Sequence, residues 1–127
     1  MKTVLTVAGS DPSGGAGIQA DIKTITAHGL YATSAITALT VQNTLGVSRV
    51  EPVPVDLVAQ QIDCVVGDIR PDAVKIGMLC NAEIVQAVAQ ALAHGQAECI
   101  VIDPVMISTS GHRLLDQEAV QLSLIHI

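Results

Sequence analysis

Aromatic side chains are almost missing from this 127-residue chain: it has no tryptophan and no phenylalanine, and Tyr31 is its single tyrosine. Without a row of flat rings there is no platform on which nucleic-acid bases could stack. Positive charge is scarce too. Six Lys and Arg against twelve Asp and Glu leave a net charge of −6, the wrong sign for neutralising a phosphate backbone, so nucleic acid is not expected as a partner. Charged residues of either sign make up only 14% of the chain, where roughly 25% is usual. That shortage suggests a surface meant to be covered by further polypeptide. No apolar run approaches the ~20 residues of a membrane helix, and no charged-then-apolar leader opens the chain, so no membrane partner is expected and the location reads as cytoplasmic. Cys64, Cys80 and Cys99 are odd in number, far apart and set in apolar pattern. They read as buried thiols of a reducing compartment, not as a disulfide or zinc framework. His28, His94, His112 and His126 share no metal-ligand spacing.

What the chain has is aliphatic residues: half of it is hydrophobic, enough for a core of Val, Ile, Leu and Ala in one domain or part of one. Its most informative stretch is Val4 to Asp21. A β-branched apolar run enters a Gly/Ser/Asp/Pro cluster, and Ile18, Ile22 and Ile25 then repeat at i, i+4, i+7, one face of a helix. Strand, glycine-rich turn and helix follow. The glycines at 14, 15 and 17 suit a backbone that something approaches closely, and the turn's N–H groups with the helix N-terminus could receive a polar or anionic ligand. Two familiar motifs do not fit. No lysine follows the glycines as a phosphate-cradling P-loop demands. Gly15-x-Gly17-x-x-Ala20 lacks the acidic residue that a dinucleotide site needs about 20 positions further on, since no carboxylate lies between Asp21 and Glu51, and a Rossmann oxidoreductase is disfavoured.

In chain order, the pattern predicts a strand over Thr3–Gly9, a helix over Ala16–His28 stopped at Gly29, and a strand over Tyr31–Leu39. A polar loop, Thr40–Gly46, and a short strand of edge type, Val47–Val53, come next. A helix over Val55–Asp68 uses Val58, Ile62 and Val65, and Ala73–Leu79 is a core strand. Asn81 caps a helix that uses Ile84, Val88 and Leu92 and ends near His94-Gly95. Cys99–Ile102 is a fourth core strand, ending at Asp103-Pro104-Val105-Met106. Ser108–His112 is loop, and Asp116 could cap a last helix. Strands alternating with amphipathic helices, most strands buried on both faces, give an α/β fold with a doubly wound, mostly parallel sheet and flanking helices. In such sheets ligands sit outside the carboxyl ends of the strands. Four candidate groups fall there: Gly9–Gly15, the Gln42 loop, Met78 and the Asp103-Pro104-Val105 turn. Residues 122–127 break the helical pattern with an uncharged apolar end and match one reading frame of a common transposase sequencing adapter, so they are expected to be a non-native tail on a domain portion spanning 1–121.

Four ordered motifs resemble one family. Ala8 to Asp21, then Ile36–Thr40 with Gln42-Asn43-Thr44, then Asp68–Leu79, then Asp103–Met106 are similar to the hydroxymethylpyrimidine/phosphomethylpyrimidine kinases of thiamine biosynthesis, members of the ribokinase-like superfamily. The resemblance runs from residue 3 to about 121. It implies ATP and Mg²⁺ as cofactors and a small aminopyrimidine alcohol as substrate. It further implies that Asp21 and Gln42 hydrogen-bond the ring nitrogen and exocyclic amine, that Gly9 gives a main-chain contact, and that Met78 and Val105 form apolar walls. Asp103 would stand near the transferred phosphate and Mg²⁺. The resemblance places the anion hole, the catalytic residue and most of the ATP site in a C-terminal half; nothing after Gly111 matches them. No catalytic residue is therefore assigned within this chain, which is expected to be an N-terminal, truncated half that is inactive alone. The full-length parent could be a homo-oligomer. A pyridoxal-type kinase and a non-catalytic pyrimidine-binding module stand as the alternatives.

Overall fold

The computed structural model describes residues 1–103; the readings on Val105, on the Ser108–His112 loop, on Asp116 and on residues 122–127 lie outside the described residues. The chain runs β1 (Thr3–Ala8), α1 (Gly17–Ala27), β2 (Tyr31–Ile36), β3 (Ala38–Asn43), β4 (Gly46–Pro52), α2 (Val55–Asp68), β5 (Ala73–Ile76), α3 (Ala82–His94), β6 (Ile100–Ile102). Strands β2, β1, β5 and β6, in that order, form a parallel sheet, and β3 and β4 form a separate antiparallel hairpin.

Side chains alternate across a strand, and this alternation sorts the helices. Leu5 and Val7 of β1, Val74 and Ile76 of β5, and Ala35 of β2 pack with Val58 and Ile62 of α2 and with Ile84, Val85 and Val88 of α3 in one core. The intervening Thr6 and Lys75 point the other way, to Asp21 of α1. The sheet is thus covered by α1 on one face and by α2 and α3 on the other. Helix α3 starts as its sequence indicates, with Asn81 Oδ1 accepting from Ile84 N at 2.9 Å. At the other end of that helix Gly95 keeps a right-handed backbone, and Gln96 takes the left-handed one (φ 57°).

Four expectations need correction. The strand expected over Tyr31–Leu39 breaks at Thr37, whose N–H donates to Ala8 O and whose O accepts from Val53 N, both at 2.9 Å. The chain thereby leaves the sheet, and most of the expected loop from Thr40 is strand β3. Second, β5 stops at Ile76, with Gly77–Leu79 in irregular backbone. Third, β6 is not a core strand among the described residues: Val101 is 60% exposed. Fourth, the cysteines are not buried. Cys64 and Cys99 are exposed and Cys80 is half-buried; Cys64 lies off the Val58–Ile62 stripe of α2, and Cys99 immediately precedes β6, the outermost strand among the described residues.

Candidate functional site

Strand order locates the site before any side chain is considered. From β1 the chain crosses to β2 on one flank, and from β2 it returns past β1 to β5 on the other. Open parallel sheets bind ligands at such a reversal, in the crevice outside the carboxyl ends of the strands. Gly9 follows β1 and Gly77-Met78 follow β5, so both line this crevice. They are in contact: a Cβ on Gly9 would overlap the Met78 methyl. Gly77 N donates to Val7 O at 2.8 Å, and Thr37 donates its hydroxyl to Met78 O. Thr37, fully buried, therefore knits the ends of β1, β2 and β5 together. Sequence reading missed it, taking it for an interior strand residue.

The glycine-rich loop does not hold its N–H groups out to a ligand as expected. The carboxylate of Asp11, only 2% exposed, turns back into its own loop. Oδ1 accepts from Ser13 N (2.8 Å) and Ser13 Oγ (2.6 Å), and Oδ2 accepts from Gly15 N (3.1 Å) and Ala16 N (2.8 Å). Burial pushes this carboxyl's pKa up, but the Ser13 hydroxyl and the N–H groups of Ser13, Ala16 and Gly15 outweigh it and hold the pKa below the usual carboxylate value. Helix α1 has no side-chain N-cap at Ala16. Two of the donors around its start go to Asp11, and Ile18 N donates to Gly9 O at 2.9 Å. The anion place at the head of α1 is filled from within.

Gln42 is brought to the root of the same loop by the hairpin. Ser10 N donates to Ala38 O at 2.9 Å, and Thr40 Oγ1 lies 2.8 Å from Ser10 O and 3.1 Å from Gln42 Oε1. Gln42 is half-buried and also borders a hollow of about 340 Å³ between Val41 and Ser48. Asp21 stands on the α1 face of the sheet. Its Oδ2 accepts from Thr6 Oγ1 (2.6 Å) and from Lys75 Nζ (2.9 Å), and Oδ1 takes neither. Lys75 was not singled out from the sequence; a lone lysine in the otherwise apolar Ala73–Ile76 strand was its signal. Asp21 and Gln42 share no hydrogen bond. They are linked through a continuous line of contacts, from Lys75 beside Gly77, through Met78 on Gly9, to Ser10 and Thr40. Asp103 is exposed at the end of β6, its N–H donating to Ile76 O at 2.8 Å.

A second, larger cleft of about 620 Å³ lies between the ends of α2 and α3, lined by Asp63, Arg70 and His94 among others. It sits at the amino ends of β5 and β6, the wrong end of a parallel sheet for ligand binding. Among the described residues no group of three or more His, Cys, Asp or Glu is placed to hold a metal, and no helix is long and apolar enough to cross a membrane.

The sequence model of the phosphomethylpyrimidine kinase family matches residues 11–126. The chain belongs to this family. A hydroxymethylpyrimidine/phosphomethylpyrimidine kinase of Escherichia coli (strain K12) is 53% identical over 122 residues, which are 94% of this chain and 46% of that protein. The crystal structure of phosphomethylpyrimidine kinase from Clostridium difficile 630 matches with a TM-score of 0.92 at 48% identity, covering 99% of this chain and 55% of that one. Pyridoxal kinase from Staphylococcus aureus, solved in complex with AMP-PCP and pyridoxal, matches with a TM-score of 0.85 at 34% identity, covering all of this chain and 45% of that one. This member of the phosphomethylpyrimidine kinase family thus spans about half the length of the relatives it matches, and its parallel α/β architecture is theirs.

Proposed function

We propose that this chain is the substrate-binding half of a cytoplasmic kinase that phosphorylates 4-amino-5-hydroxymethyl-2-methylpyrimidine, and then its monophosphate, with ATP. The observation that carries the reading is the hydrogen-bond polarity left over at the crevice. Asp21 spends Oδ2 on Thr6 and Lys75, and Oδ1 remains as an acceptor. Gln42 stands 3.1 Å from the Thr40 hydroxyl, and its carboxamide carries both a donor and an acceptor. An acceptor from Asp21 and the carboxamide of Gln42 would together complement the edge of an aminopyrimidine, where an exocyclic amine donates and a ring nitrogen accepts. Pyridoxal carries no such amine. In this reading Gly9 contributes a main-chain contact, and Met78 and Val105 contribute apolar walls.

In each transfer, an oxygen of the hydroxymethyl group or of its phosphate ester forms a bond to the γ-phosphorus of ATP while the bond to the β,γ-bridging oxygen breaks. The residues of this chain contribute orientation, holding the ring so that its hydroxymethyl arm faces the strand ends. Mg²⁺ is commonly held by one or two carboxylates together with phosphate oxygens, and the exposed Asp103 carboxylate fits as one such group. When bound, the ion would neutralise developing charge on the phosphoryl oxygens. The proton acceptor and the anion hole are not assigned to this chain, which is expected to bind without turnover.

Titration calorimetry of the 127-residue chain with the aminopyrimidine alcohol and with pyridoxal tests the reading. The aminopyrimidine should bind more tightly, and Asp21→Ala and Gln42→Ala should each weaken it about tenfold or more, the cost of one hydrogen bond to a buried polar partner. Tighter binding of pyridoxal would move the assignment to the sister activity. Absence of binding by the folded chain would remove the pyrimidine reading.

A further inference from the structure

We infer that Lys75 is a positioning residue that makes the site selective for the substrate's amino group, by fixing which oxygen of Asp21 faces the ligand. The inference rests on the aminopyrimidine reading above. A free aspartate carboxylate has two equivalent oxygens that exchange by rotation about a broad, two-fold torsion. Here the equivalence is broken. Thr6 of β1 and Lys75 of β5 both donate to Oδ2, from adjacent strands and at hydrogen-bond distance. The carboxylate plane is pinned at two points, and Oδ1 is the oxygen presented to a third donor. Lys75 also sets the opposite charge against a carboxylate whose side chain is 17% exposed. A neutral amine then meets a compensated pair, not a lone buried charge.

The room for this ammonium is built into the sequence two residues on. Gly77 lies just past the end of β5, and a Cβ there would come within 2.9 Å of Lys75 Nζ and 3.0 Å of Ala8 Cβ. Glycine at 77 thus leaves the space in which the lysine head reaches Asp21. Lys75-Ile76-Gly77 reads as one device: a cation on the α1 face, a core side chain on the other, and a gap that admits the cation.

The test compares two ligands on the full 127-residue chain: the aminopyrimidine alcohol, and 5-hydroxymethyl-2-methylpyrimidine, in which hydrogen replaces the amine. The wild type should prefer the amine about tenfold or more, as a charge-assisted hydrogen bond allows. Lys75→Met should bring the two affinities to within about threefold of each other. Gly77→Ala keeps the lysine but displaces its head, and should also reduce the preference, which covers the case of a Lys75→Met chain that fails to fold. A lysine needed only for folding would weaken both ligands alike. A wild-type preference that survives in Lys75→Met overturns this inference and leaves the pyrimidine reading standing. A wild type that binds neither ligand overturns both.

Discussion

Gly17→Ala should lower the stability of the chain by about 3 kcal/mol or more, through a left-handed backbone, a clash and a lost hydrogen bond together. Gly17 has φ of +58°, and a Cβ there would fall on Gly9 O and lie 3.2 Å from Ser10 C and 3.3 Å from Asp11 N. These are backbone atoms with nowhere to go. Gly9 O is also the acceptor for Ile18 N, the bond that seats α1 on the end of β1. The dihedral term alone is about 1 kcal/mol. Gly29→Ala isolates that term, because Gly29 has φ of +75° but nothing within 4 Å of a Cβ. Urea unfolding of the two variants should therefore differ by about 2 kcal/mol, the clash and the lost bond. Equal losses would mean that the loop moves aside freely and that the close approach at Gly9 is not a constraint.

The second large effect belongs to Asp11. Its carboxylate takes four donors, so Asp11→Ala should cost about 2–4 kcal/mol, the range for stranding several donors of which water reclaims some. Asp11→Asn keeps one acceptor oxygen and should fall between. The sign of the accompanying pH dependence follows from a folded-state pKa held below the unfolded value. The stabilisation is complete above the ordinary carboxylate pKa, near ~4, and is lost as pH falls through the lower folded value. Melting temperatures between pH 6 and pH 2 should drop further for the wild type than for Asp11→Asn. Parallel curves would show that the loop's N–H groups find water as good a partner.

Much of this was readable from the chain. The isoleucines of α1, the apolar stripe of α2 and the Asn81 cap place three helices where the structure has them, because period and capping are local signals. What could not be read was long-range. Thr37 is polar, yet its fit depends on Ala8 at the end of β1 and Met78 just past the end of β5. Strand β3 alternates Ala38, Thr40 and Gln42 inward with Leu39 and Val41 outward, the latter each 56% exposed, so its polar face disguised a strand as a loop. Asp11 looked like part of a turn, and an aspartate before Pro-Ser-Gly-Gly could have suggested a side chain folding back on its own backbone. The candidate positions Gly9 and Met78 do meet, and Gln42 reaches the same loop root. Asp21 comes with a partner, Lys75, that periodicity marked only as an irregularity.

The proposed ligand of the crevice between the ends of β1 and β5 is an aminopyrimidine alcohol. Amide chemical-shift mapping of the ¹⁵N-labelled chain with that ligand tests this assignment most directly. Perturbations should gather at Gly9, Ser10, Asp21, Gln42 and Met78. Shifts gathered instead around Asp63, Arg70 and His94, at the opposite ends of the strands, would contradict it.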